Sequence, residues 1–189
     1  APAVPVYLFL GMEHMALGVD HVLFVLVLIY LVSGFKNLLV VITSFTLAHC
    51  LTLVLSVFNL VTLPQPPVEA LIALSIVLLA RESLVVADSW LKRSPWLIAF
   101  LFGLLHGLGF ASALSKIGLP EGNQVFALLL FNLGIEISQI FIVALALALT
   151  FLVRSFNLKI PAVVASMPLY AIGGVACYWV VERSLGIIS

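Results

Sequence analysis

The chain has 189 residues, 64% hydrophobic and 8% charged, and its eight basic and eight acidic side chains cancel to zero net charge. Its mean hydropathy is +1.32, whereas a soluble domain is about 25% charged, and an exterior this apolar needs an apolar solvent. Soluble, disordered, disulfide-scaffold and nucleic-acid-binding classes are excluded, the last also for want of a basic patch; what remains is a protein embedded in a lipid bilayer.

A helix needs about 20 apolar residues to cross the hydrocarbon core. Six segments reach that length, at residues 5–33, 38–60, 67–87, 95–115, 123–153 and 161–181. Proline stands at or just before four of these starts, where its missing N–H costs nothing. The connections are short and built from turn formers: Ser33-Gly34, Pro64-Gln65-Pro66-Pro67, Arg93-Ser94-Pro95, Gly118-Leu119-Pro120-Glu121-Gly122 and Asn157. The expected fold is all-α, a polytopic bundle of six transmembrane helices forming one transmembrane domain over residues 1–189. Odd-numbered loops carry Lys36, Lys92, Arg93, Arg154 and Lys159, against Lys116 and Arg183 in the even loops and tails. That bias puts the odd loops in the cytoplasm and both termini outside. The opening Ala1-Pro2-Ala3, without a basic n-region, suggests a processed or trimmed start. Cys50 and Cys177 lie in apolar runs, form no Cys-x-x-Cys motif and read as small buried hydrophobes.

A faint internal echo accompanies this pattern. Gly11-Met12-Glu13-His14 in the first segment resembles Gly103-Leu104-Leu105-His106 in the fourth. Phe45-Thr46-Leu47-Ala48-His49 in the second resembles Phe131-Asn132-Leu133-Gly134 in the fifth. Three helices per half would give the two halves opposite topology.

Ionisable groups inside a span cost at least ~2.5–3.5 kcal/mol at the helix centre, so they face the bundle interior and usually mark function. All four histidines lie within spans: His14, His21, His49 and His106. So do Glu13, Asp20, Glu82 and Glu136. At 100° per residue, His14 and His21 share a stripe of the first segment with Gly11 and Gly18, beside a stripe of Glu13 and Asp20. Thr46, His49, Thr52 and Ser56 fall on one face of the second segment. His106 sits between Gly103 and Gly107 in the fourth, where small residues let a neighbouring backbone approach. Asn132, Glu136 and Gln139 share a face of the fifth at i, i+4 and i+7. Elsewhere Arg81-Glu82 reads as a local pair or gate, and Glu69 as an acid at a helix N-terminus. Trp90, Trp96, Tyr178 and Trp179 read as interfacial anchors.

Neutral imidazoles and carboxylates at one depth make an N/O ligand set suited to Ni²⁺, Zn²⁺, Co²⁺ or Cu²⁺. Oxygen-only sites for Mg²⁺ or Ca²⁺ would not need histidine. Packing alone would account for one membrane histidine, but four at shared depth point to metal handling. In one continuous helix His14 and His21 stand ~10.5 Å apart along the axis, too far to chelate one ion. Either they serve two sites along a path, or Gly18 lets the helix unwind.

The run His14-Met15-Ala16-Leu17-Gly18-Val19-Asp20-His21 reads H-x5-D-H. With Phe24 and Phe45-Thr46-Leu47-Ala48-His49-Cys50-Leu51-Thr52-Leu53, it resembles the HupE/UreJ family of bacterial membrane proteins. Val68-Glu69-Ala70-Leu71-Ile72-Ala73-Leu74-Ser75, the stretch Phe102 to Ala111, and Phe131 to Gln139 extend the likeness over the first five segments. The second branch of the family is the nearest. H-x5-D-H is similar to the H-x4-D-H element of nickel/cobalt permeases, and Arg81-Glu82-Ser83 departs from an expected Glu-Asn pair. The resemblance implies nickel uptake serving hydrogenase and urease, with cobalt in some bacteria, and so a link to nickel-enzyme maturation.

On that basis the metal residues are His14, Asp20, His21, His49, His106 and Glu136. Glu13, Thr46, Glu82, Asn132 and Gln139 orient or relay. The reading is a transporter of a divalent transition metal, Ni²⁺ or Co²⁺, working as a facilitator or ion-coupled carrier, alone or as a homo-oligomer. His14 and Asp20 would receive the ion near the external mouth. His21, His49 and His106 would hold it near the midplane, with Asp20 or Glu136 completing the shell or fixing an imidazole tautomer. Imidazole binds metal only when neutral, so uptake should weaken below about pH 6.5. The alternative is an intramembrane zinc-dependent hydrolase acting on a lipid or membrane peptide, with Glu13 or Glu136 as general base. Against it stands the absence of an H-E-x-x-H motif.

Overall fold

The computed structural model describes residues 5–85, 89–117, 120, 122–156 and 161–188, leaving aside the side chains of 90, 111–117 and 188. Its elements are α1 (Val6–Leu17), α2 (Val19–Leu31), α3 (Phe35–Val57), α4 (Gln65–Leu84), α5 (Trp90–Arg93), α6 (Pro95–Ile117), α7 (Gln124–Ser155) and α8 (Ala162–Ile188). No strand occurs among the described residues. The expected start at Ala1-Pro2-Ala3, the turn residues Gly118-Leu119, Glu121 and Asn157, and Lys159 lie outside them. So do the side chains of Trp90 and Lys116.

Three helices are long and apolar enough to cross a membrane: α3, α7 and α8. The pair α1 and α2 meets the same test together but is bent by 71° at Gly18, so the expected single helix over 5–33 is two. Among the described residues there are thus three candidate spans, or four if the bent pair counts as one. α4 has the length at 20 residues but carries Glu69, Arg81 and Glu82, more charge than the other candidates hold. α4 also begins two residues earlier than expected, because Pro66 and Pro67 fit a first turn whose N–H groups have no partner anyway. That earlier start moves Glu69 out of the first turn, so it is not the dipole-favoured terminal acid it resembles in sequence.

The turn from α2 to α3 depends on Gly34, whose φ of +88° suits glycine alone, and Asn37 Nδ2 donates to the Ser33 carbonyl at 2.9 Å. Elsewhere glycine serves close approach. The main contacts pair α3 with α6, α4 with α8, and α1 with α7. A β-carbon at Gly103 would overlap the Phe45 carbonyl, and one at Gly107 the His49 carbonyl. Across α1 and α7, Gly11 meets the Phe131 carbonyl and Gly134 that of Leu8. In lipid, where apolar side chains gain nothing by leaving their solvent, such backbone contacts are what bring helices together. Thr52 adds a cross-helix bond, its Oγ1 donating to the Leu104 carbonyl at 2.8 Å.

The core holds Tyr7, Phe24, Phe45 and Phe131, all fully buried. Phe9, Leu47, Phe141, Phe151 and Val163 are exposed, the outward apolar band that hydrocarbon solvates. Gly11→Leu or Gly103→Leu should therefore destabilise the detergent-solubilised protein by about 1–3 kcal/mol or more. Gly174→Ala should not lower the melting temperature, because nothing lies within 4 Å of its β-carbon and alanine favours the helix. Equal melting temperatures for all three variants would contradict this packing.

Candidate metal centre

The centre begins with the break between α1 and α2. Gly18 takes φ −72° and ψ 90°, closing α1 with an N–H bond to the His14 carbonyl and opening α2 as its N-cap. Those torsions do not demand glycine, but the space does. A β-carbon there would lie 2.7 Å from the His14 carbonyl oxygen and 2.8 Å from His21 Nδ1. The bend folds His21 back towards His14, and their rings meet edge to face with centroids 4.6 Å apart. Gly18 thus unwinds the helix, and the two-sites-along-a-path alternative does not describe this geometry.

α3 brings His49, whose ring lies 6.1 Å from that of His14 and 6.0 Å from that of His21. One nitrogen from each of His14, His21 and His49 lies within 4.8 Å of the others. Imidazole nitrogens bound tetrahedrally at 2.0–2.1 Å from an ion stand about 3.3 Å apart, a spacing that small side-chain rotations can close. α6 supplies His106, with its ring 4.8 Å from that of His21. Aromatic rings wall the cluster. Phe24 and Phe45 pack on His106 at 5.3 and 5.1 Å, and Phe110 covers His14 at 3.7 Å while stacking on Phe131.

Among the described residues, the buried side-chain nitrogens and oxygens without a hydrogen-bond partner all belong to these histidines. They are His14 Nε2, both nitrogens of His21, His49 Nε2 and both nitrogens of His106. An unsatisfied buried polar group costs about 1–3 kcal/mol, and the lone-pair nitrogens of this cluster could be satisfied by a metal ion or by water. His21 Nδ1 does lie 3.5 Å from Asp20 Oδ1, an ion-pair distance too long and misaligned for a hydrogen bond.

His49 is also oriented from behind. Asn132 Nδ2 donates to the Leu128 carbonyl at 2.8 Å, which turns Asn132 Oδ1 towards His49 Nδ1 at 3.0 Å. Oδ1 can only accept, so His49 Nδ1 carries the proton and Nε2 offers its lone pair to the cluster.

The family model described as HupE / UreJ protein matches residues 2–183. The chain belongs to the HupE/UreJ family. No curated protein and no solved structure matches it. Family membership implies a function related to metal transport in the membrane, and in the structure the H-x5-D-H run forms the two sides of a broken helix.

Other expected site residues of this HupE/UreJ protein lie away from the converging nitrogens. Glu136 is half-buried and accepts a 2.6 Å bond from Thr43 Oγ1. Gln139 Oε1 accepts from Thr46 Oγ1 at 2.9 Å, a hydroxyl that also leans on the Ile42 carbonyl at 3.2 Å. These contacts tie α3 to α7. Glu82 is buried, accepts from Ser89 Oγ and pairs with Arg81 at 3.7 Å, a local arrangement at the end of α4. Glu13 is exposed. Thr43 escaped the sequence reading, although it continues the polar stripe one turn before Thr46. Arg183 escaped as well. Its guanidinium lies 3.5 Å from Asp20 Oδ2, and no local pattern links residues 163 positions apart.

Gly18→Ala should push His21 off His14 and lower Ni²⁺ affinity at least about tenfold, with helix content by circular dichroism unchanged. Titration calorimetry on the purified protein checks this, and unchanged affinity would refute the role given to the break.

Proposed function

We propose that this protein carries a divalent transition-metal ion, Ni²⁺ or the closely related Co²⁺, across the bacterial inner membrane. The observation that carries the reading is the convergence of His14, His21 and His49, with His106 alongside, in a buried aromatic box whose free nitrogens lack partners. Neutral imidazole suits Ni²⁺, Co²⁺ and Zn²⁺ alike, and the family inclines the choice to nickel. His14, His21 and His49 bind the ion, His106 replaces or joins them as it moves, and Asp20 supplies charge beside His21. Asn132 holds His49 in the metal-binding tautomer. Glu136, Gln139 and Thr46 act indirectly, by fixing α3 against α7.

In this reading α4 and α6 complete six spans of one transmembrane domain, with both termini periplasmic as the loop charges ask. Packing supports two inverted halves. Gly11 and Gly103 open the matching Gly-x-x-His quartets, and Phe45 and Phe131 open the other matching pair. Gly11 rests on the Phe131 carbonyl and Gly103 on that of Phe45, so each half's glycine sits on the other half's phenylalanine. His14 and His106 then occupy equivalent positions on either side of a site between the halves, the arrangement that alternating access needs. The cargo would serve nickel-enzyme maturation, and the carrier runs on the ion's own gradient or on that of a coupled ion.

Proteoliposomes holding a metal-sensitive dye test the proposal. Wild type should admit Ni²⁺, and His21→Ala and His49→Ala should abolish the flux. Asn132→Leu should weaken Ni²⁺ binding about 10–100-fold, as loss of a ligand's hydrogen-bond partner typically does. No flux of Ni²⁺, Co²⁺ or Zn²⁺ through wild type would refute the transporter. A metal that survives dialysis and hydrolyses a lipid or peptide would favour the hydrolase instead, although neither Glu13 nor Glu136 stands at the cluster as a general base.

A further inference from the structure

Asp20 lies in the first turn of α2, where its charge suits the helix dipole, and its two oxygens face different partners. Oδ1 is 3.5 Å from His21 Nδ1. Oδ2 is 3.5 Å from both terminal nitrogens of Arg183 on α8. Arg183 has two further holds. Its Nη1 donates to the Glu69 carbonyl of α4 at 3.0 Å, and its guanidinium carbon lies 5.2 Å from the centre of the Trp179 ring. The shorter bond is therefore to α4, and the grip on Asp20 is at the outer limit of hydrogen bonding. Arg183 can leave Asp20 and keep both other contacts.

We propose that Arg183 is a tethered counter-cation for Asp20, displaced from the carboxylate when an ion occupies the imidazole cluster and returning as the ion departs. The inference rests on the transport reading above. Imidazole binds metal only when neutral, and Arg183 neutralises Asp20, so the metal-binding form of the empty centre carries no net charge. An arriving divalent ion repels the guanidinium and competes for the same carboxylate, and both effects are strong where water is scarce. When the ion leaves, Arg183 re-pairs with Asp20 and stabilises the emptied centre. Arg183 thus weakens binding and speeds release, and conduction needs both, since a site that binds too tightly does not let go. Trp179 is the resting place of the displaced guanidinium, through cation–π attraction.

A double-mutant cycle on the full chain tests this, with Ni²⁺ binding read by calorimetry in detergent and flux read in proteoliposomes. Arg183→Gln should bind Ni²⁺ about five- to tenfold more tightly, with a lower half-saturating concentration and a lower maximal flux. Arg183→Lys should stay near wild type. In an Asp20→Asn background, Arg183→Gln should tighten binding clearly less, because only the direct repulsion between ion and guanidinium is then removed. Trp179→Leu, which removes the resting place, should weaken Ni²⁺ binding when Asp20 is present and not otherwise. A purely structural clamp joining α2, α4 and α8 would instead make Arg183→Gln lose affinity and flux together, and that result overturns the proposal. Equal tightening with and without Asp20 overturns it too. Should Arg183→Gln fail to fold, unchanged affinity in Trp179→Leu is the overturning result. Wild type that binds none of Ni²⁺, Co²⁺ and Zn²⁺ refutes the transport reading itself, whereas wild type that binds while Arg183→Gln behaves identically refutes this inference alone.

Discussion

A helix in hydrocarbon must satisfy its backbone groups within itself or against protein, because water is not there to do so. At Gly18 the chain breaks that ladder, and much of the centre depends on the break. The carbonyl of His14 accepts from the Gly18 N–H and the Gly18 carbonyl accepts from Val22, so each half of the helix closes on the same residue. A side chain at position 18 would occupy the space that the His14 carbonyl and the His21 ring now take. Absence of a β-carbon is thus the condition under which two imidazoles seven residues apart meet at one point.

The same economy of space governs the helix contacts that frame the centre. Gly103 and Gly107 seat α6 on the carbonyls of Phe45 and His49, which places His106 between them on the face towards His21. Gly11 and Gly134 seat α1 on α7, bringing His14 beside Phe131 and Phe110. Histidines from α1, α2, α3 and α6 therefore converge through backbone approach rather than through bonds to one another. Around them the polar contacts are made by Asn132, which orients His49 from behind, and by Thr43 with Glu136 and Thr46 with Gln139, which tie α3 to α7.

That division of labour has an electrostatic sense. Carboxylates inside a membrane are costly unless paired, and the acids near the middle of this chain are each engaged: Asp20 by Arg183 and His21, and Glu136 by Thr43. The unpartnered groups are imidazole nitrogens, which in the neutral, metal-binding form are cheaper to bury than a charge. A centre of this composition can lie empty in an apolar surround and still offer lone pairs to a transition-metal ion.

Composition alone determined that the chain lives in a bilayer, because 8% charge cannot solvate a globule. Local pattern determined nearly all of the helices and the polar stripes of α3 and α7, since a 100° step per residue decides which side chains share a face. The ordered motifs, H-x5-D-H above all, identified the family. Tertiary structure decided the rest, for reasons that local pattern does not hold. His14 and His21 are ~10.5 Å apart in any continuous helix, and only the 71° bend brings their rings together. Glu136 has the chemistry of a ligand, but Thr43 on another helix holds it. The partner of Asp20 is Arg183, 163 residues away. Periodicity shows which face of a helix is polar; which neighbour that face meets, and at what angle, depends on where glycine lets two backbones touch.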